Sequence, residues 1–106
     1  MTAIDIAAMR TNAARASQFL QLLGNERRLL VLCLLVEGER PVTWLAEQVG
    51  LSTSALSQHL ARLRADGLVA TRRESQTIFY SLADARTERL LSVLHELFCA
   101  TEGERP

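Results

Sequence analysis

Apolar residues follow a helical period along most of this chain, and the clearest case runs from Pro41 to Gly67. Leu45 and Val49 recur four apart, Gly50-Leu51 interrupts the period, and Leu56, Leu60 and Leu63 then fall at i, i+4 and i+7. A helix, a tight turn and a second helix are predicted over 42–66, with Ser52 as the N-cap of the second. The opposite face of that second helix holds Thr53, Ser54, Ser57, Gln58 and Ala61, which are small and uncharged. Such residues allow close approach and offer donors and acceptors to base edges in a major groove. A solvated helical hairpin is the plainer reading of the same pattern.

Upstream, Ile6, Met9, Ala13, Ala16, Leu20 and Leu23 form a stripe at steps of three and four, predicting a helix over 5–23. Gly24 breaks the period and Asn25 can cap a second helix to about Glu37. Its run Leu29 to Val36 is apolar nearly all round, so it is predicted to be the central buried helix. After Gly67 the period falls to two. The segments 68–73 and 77–82 are rich in β-branched and aromatic residues, and Glu74-Ser75-Gln76 joins them as a hairpin. A last helix is predicted over 84–100, followed by a polar tail.

The order is therefore α-α-α-α-β-β-α, mainly helical with a β-hairpin, in a single domain spanning 1–106. A helix-turn-helix followed by a hairpin over 68–82 is a winged helix, which sets one helix in the major groove and the hairpin on neighbouring backbone. The helices over 5–23 and 84–100 carry more apolar surface than one small core covers. They are predicted to form a two-fold homodimer, with recognition helices roughly 34 to 36 Å apart on an inverted-repeat operator in double-stranded DNA.

Composition changes this picture little. The chain has 106 residues, 48% of them hydrophobic, enough for one modest core. Its twelve basic residues are all arginine and balance twelve acidic ones, so global charge does not advertise nucleic-acid binding. The distribution does, because Arg62, Arg64, Arg72 and Arg73 face only Asp66 between Ser52 and Arg73. Acidic residues gather instead at Glu37, Glu39, Glu96, Glu102 and Glu104. No apolar run approaches a membrane span and the N-terminus lacks a signal-peptide pattern, so a cytoplasmic location is expected. Nothing resembles a phosphate loop or a catalytic carboxylate pair, and no enzyme activity or cofactor is expected.

Expected DNA contacts are Ser52, Thr53, Ser54, Ser57, Gln58, His59 and Arg62 from the helix-turn-helix, with Arg72, Arg73, Ser75, Gln76 and Thr77 from the wing. Cys33 and Cys99 leave three readings open. They are independent core cysteines, part of a metal site poor in partners, or a thiol switch joining two helices. In a reducing compartment they are not expected to form a structural disulfide.

The residues GERPVTWLAEQVGLSTSALSQHLARLRADGLVATRRESQTIFYSLAD, and above all SQHLARLR and the wing segment ending IFYSL, resemble the ArsR/SmtB family of bacterial winged-helix repressors. The resemblance implies a homodimer that occludes a promoter until an inducer binds. The family's metal patterns are missing. Arsenic-type members carry Cys-x-Cys where this chain has Pro41 and Thr43, and zinc-type members carry Asp-x-His where it has Asp84 and Arg86. Leu97 and Ala100 stand at the later zinc positions, and His95 lies two residues before the first of them.

The pair Cys33 and Cys99, with RLLVLCLLVEGE and LLSVLHELFC around them, instead resembles the BigR/SqrR branch of sulfide and persulfide sensors. That resemblance implies a dithiol sensor answering to a small sulfur donor or an oxidant. Alternatives are a constitutive or anti-repressor DNA binder without a switch, or a metal-responsive repressor with a non-standard site.

Overall fold

The structure, a computed structural model, describes residues 3–99. Helix α1 (Ile6–Leu23) is capped by the Asp5 side chain, which accepts from the Ala8 amide. Asn25 caps α2 (Glu26–Leu34) in the same way through the Arg28 amide. A two-residue strand β1 (Arg40–Pro41) precedes α3 (Val42–Val49) and α4 (Thr53–Ala65), the helix-turn-helix. Strands β2 (Val69–Glu74) and β3 (Thr77–Leu82) form the wing, and α5 (Ala85–Phe98) ends the described fold.

Both helices of the helix-turn-helix stop at glycines with left-handed backbone. Gly50 (φ 70°) and Gly67 (φ 79°) adopt a conformation costly for side-chain-bearing residues. Each is followed by an amide that reaches back into the helix, Leu51 to the Ala46 carbonyl at 3.0 Å and Leu68 to the Leu63 carbonyl at 2.9 Å. These closures set the angle between α3 and α4 and send the chain from α4 straight into β2.

The core is continuous through Leu22, Val31, Leu32, Leu35, Leu45, Leu56, Leu60, Leu63, Leu68, Tyr80 and Leu91. The predicted apolar face of α4 is thus the one that is buried. Two arginines fasten α2 to its neighbours. Arg28 is buried, and its guanidinium donates to the carbonyls of Leu22 at 2.7 Å and Gln21 at 3.1 Å at the end of α1. Burial pushes its pKa down, helped by the nearby positive charge of Arg62. Arg27 donates to the Val49 carbonyl at the end of α3.

Five expectations need correcting. The second helix ends at Leu34 rather than near Glu37, and the chain turns through Gly38. It is not buried all round, because Leu30 and Cys33 are exposed on its outer side, as is Val36 in the turn that follows. At nine residues α2 is too short to be enclosed, and only one side meets the core. The wing is wider than a hairpin, since β1 pairs antiparallel with β3 (Arg40 opposite Tyr80, Pro41 opposite Phe79) to give the sheet order β1-β3-β2. The first wing strand runs one residue later than expected, over Val69–Glu74. The last helix is capped by Asp84 and ends at Phe98, while Ala100 lies outside the described residues.

The stripe on α1 is present but faces outward. Only Leu22 and Leu23 of that helix are buried, and Ile6, Met9 and Leu20 remain 47 to 57% exposed. Leu97 and Phe98 on α5 are 66% and 68% exposed. No described helix is long and apolar enough to cross a membrane.

Candidate nucleic-acid interface and thiol pair

Thr53, Ser54, Ser57, Gln58 and Ala61 all lie exposed on the side of α4 opposite its buried leucines. Ser52 sits at the base of this face with its hydroxyl accepting from the Ala55 amide at 3.0 Å, so its oxygen is already engaged in capping. His59 is half-buried, and Arg62 and Arg64 are exposed in the last turn. Their charges also suit the negative end of the helix dipole.

At the wing tip Ser75 takes a left-handed backbone (φ 55°), and Ser75, Gln76 and Thr77 are exposed. Arg73 is exposed next to them. Arg72 is held otherwise. Its guanidinium makes a two-pronged contact with Glu39, 2.7 and 3.0 Å for the shorter contact of each prong, and a third bond of 2.8 Å to Glu74. It also stacks over Phe79, its cross-strand neighbour, 4.8 Å from the ring centroid. Two carboxylates neutralise this cation, which braces the wing to the segment following α2. Of the two wing arginines, Arg73 is therefore the better placed for phosphate.

Glu39 was not singled out from sequence as part of this interface. It lies 33 residues from Arg72, and only the pairing of β1 with β3 brings the two together. Donation from Arg72 holds the Glu39 carboxyl below the usual glutamate range. An acid whose folded pKa is depressed contributes stability above its unfolded value and loses it as pH falls through the depressed one. The brace is thus intact at neutral pH and opens only in acid. In a carboxyl-resolved NMR titration we expect the Glu39 midpoint below the ordinary glutamate range, and Arg72→Gln should return it there. An ordinary midpoint in the unsubstituted protein would show that the brace does not form in solution.

Cys33 and Cys99 are free and exposed. Cys33 stands on the outer side of α2, and Cys99 caps α5, its amide donating to the His95 carbonyl at 2.8 Å. The fold brings the two thiols into electrostatic reach of each other. Partial burial pushes the Cys33 pKa up, and the nearby Cys99 adds to the rise. Cys33 also lines a cleft of about 350 Å³ between α2 and α5, with Val36, Glu37, Leu91, Ser92 and His95.

Among the described residues no group of three or more His, Cys, Asp or Glu side chains is placed to hold a metal ion. The zinc-type position is occupied by another task. Asp84 caps α5 through the Arg86 amide and pairs with the Arg86 guanidinium, both at 2.8 Å. Hydrogen bonding from Arg86 lowers the pKa of Asp84.

Residues 25–71 match the family described as "Bacterial regulatory protein, arsR family". The transcriptional activator HlyU of Vibrio cholerae is 46% identical over 96 residues, covering 91% of this chain and 89% of the relative. Its reduced form superposes with a TM-score of 0.83 over 87% of this chain and 97% of that one, at 48% identity. The biofilm growth-associated repressor of Xylella fastidiosa is 40% identical over 91% of this chain and 84% of the relative. The structure of the repressor BigR from that organism gives a TM-score of 0.85 at 38% identity, covering 92% and 99%. A homodimeric winged helix-turn-helix DNA-binding domain from Mycobacterium bovis is 30% identical, with a TM-score of 0.71 over 98% and 94%. This chain belongs to the arsR family of bacterial regulatory proteins and is a winged helix-turn-helix transcriptional regulator.

Proposed function

We propose that the protein is a homodimeric repressor that binds an inverted-repeat operator in double-stranded DNA and releases it when Cys33 and Cys99 react with a persulfide or an oxidant. The observation that carries this reading is the thiol pair: two free, exposed cysteines from different helices within electrostatic reach of each other. Ser54, Ser57, Gln58 and His59 meet base edges, with Thr53 and Arg62 at the flanks, while Arg73, Ser75, Gln76 and Thr77 meet backbone and adjoining groove. Outward apolar residues on α1 and α5 supply the subunit contact, in line with the homodimeric relative from Mycobacterium bovis.

The chemistry needs no cofactor. A persulfide R–S–SH gives its outer sulfur to the Cys33 thiolate, which becomes Cys33–S–SH as R–S⁻ leaves and takes up the proton. The Cys99 thiolate then attacks the inner sulfur, forming the Cys33–Cys99 disulfide and expelling HS⁻. Capture of a second sulfur before closure leaves a longer bridge. Either bridge ties α2 to α5, and Glu39, just beyond α2, carries any movement of that helix to the wing through Arg72. A thousandfold loss of operator affinity asks that the bridge favour the released arrangement of α2 and α5 by about 4 kcal/mol.

Operator affinity measured by fluorescence anisotropy tests this. Cys33→Ser and Cys99→Ser should each bind the operator as the unsubstituted protein does, and neither should be released by persulfide. Loss of affinity in both reduced variants would sink a pure sensing role. An unsubstituted complex insensitive to persulfide and peroxide would point to the second reading, a constitutive DNA binder. The Vibrio relative is named an activator, and an anti-repressor without a thiol switch belongs to this second reading.

A further inference from the structure

The cleft beside Cys33 has a composition that the DNA-reading surface lacks. Leu91, nearly fully buried, and Val36 give it apolar walls, while Ser92, His95 and Glu37 line its polar part. Its volume, about 350 Å³, lies at the small end of ligand sites and admits a compact organic molecule of a few heavy atoms. Glu37 is the one carboxylate among the lining residues, and neither arginine nor lysine is among them. Glu37 lies four residues beyond Cys33, in the turn that follows α2, and is exposed. A thiol in an acidic, partly apolar cleft favours reaction partners that bring a positive charge and little else.

We propose that this cleft is the docking site of the inducer and that it selects small organic sulfur donors carrying an ammonium group, which Glu37 holds while Cys33 receives the sulfur. The proposal presupposes the thiol switch above and adds what the switch recognises. Glu37 and the ammonium group pair at the rim, the carbon chain lies along Val36 and Leu91, and the donor S–S bond is left facing the Cys33 sulfur. Anionic donors, including inorganic polysulfides, meet Glu37 as a like charge and react more slowly. Partial burial of Cys33, which raises its pKa, makes placement of the donor matter more than spontaneous thiolate reactivity.

Thiol–disulfide exchange on the full-length Cys99→Ser protein, where Cys33 is the only thiol, isolates the docking step. Cystamine, hydroxyethyl disulfide and dithiodipropionate present the same S–S bond with positive, neutral and negative ends. In each case the Cys33 thiolate attacks one sulfur, the donor S–S bond breaks, and the departing thiolate takes up a proton. Rates are followed by intact mass and divided by those of a free small-molecule thiol, which removes intrinsic reactivity.

Cystamine should then exceed the neutral probe by about fivefold, as expected of one partly exposed charge pair. The anionic probe should fall below the neutral one, and Glu37→Gln should bring all three together. A normalised preference of one, or a preference that Glu37→Gln leaves unchanged, overturns the docking proposal. Failure of every sulfur donor to release DNA from the unsubstituted protein would instead overturn the switch, so the two outcomes are separable.

Discussion

Replacing Leu97 and Phe98 together by aspartate is expected to leave a folded monomer that no longer holds an inverted-repeat operator. Both side chains stand about two-thirds exposed at the end of α5, on the same molecule whose α1 displays Ile6, Met9 and Leu20. No described element of the chain covers them. A large apolar side chain fully removed from water contributes about 1.5 to 3 kcal/mol. A two-fold interface counts every substitution twice, so four such side chains are lost. Even at the lower figure this is about 6 kcal/mol, or a rise of about ten-thousandfold in the dimer dissociation constant. Because neither residue belongs to the core, far-ultraviolet circular dichroism should be unchanged. Sedimentation velocity reads the outcome directly, and a variant that stays dimeric would remove the end of α5 from the interface.

The second large effect concerns stability. Leu60→Ala should cost about 3 kcal/mol, because Leu60 is fully buried on α4, the helix that packs against α2, α3 and β2, and its truncation leaves a cavity. A domain of this size is stable by about 5 to 15 kcal/mol, so the loss is a large share. It corresponds to a fall in Tm of about 12 to 24 °C. Ser57→Ala, three residues earlier on the same helix but exposed, is the control. It should change stability by less than about 0.5 kcal/mol and weaken operator binding by about 1 kcal/mol or more. Thermal unfolding and anisotropy on the two variants should give opposite rankings. Equal destabilisation would mean that the two faces of α4 are not divided as described.

Elements held by neighbours in the chain were legible in the sequence. Asn25 and Ser52 each bond to an amide three residues on, and both cap helices as side-chain chemistry dictates. Leu56, Leu60 and Leu63 have a period that fixes the buried face of α4 wherever the helix packs. The wing strands were placed within a residue because their alternation is local too. What escaped was long-range. An apolar surface all round α2 reads as burial, yet hydrophobicity alone does not say how many sides a short helix can cover. The pairing of Arg72 with Glu39 depends on a two-residue strand with no periodic signature at all. The cleft at Cys33 exists only because α5 returns against α2, and nothing in the spacing of Cys33, Glu37 and His95 announces it. The expected DNA contacts Ser52 and Arg72 were named from residue type, while the fold shows their polar atoms engaged within the protein.

The nearly uncharged outer face of α4 bears on how the regulator finds its operator in a genome. Non-specific association with DNA is supplied by cations against phosphate. Here the exposed face of α4 holds serine, threonine, glutamine and alanine, with arginine at the helix end and in the wing. Such a molecule spends little of its time parked on unrelated sequence. Fewer copies are then lost to the many competing sites, and a modest intrinsic affinity suffices to keep the operator occupied.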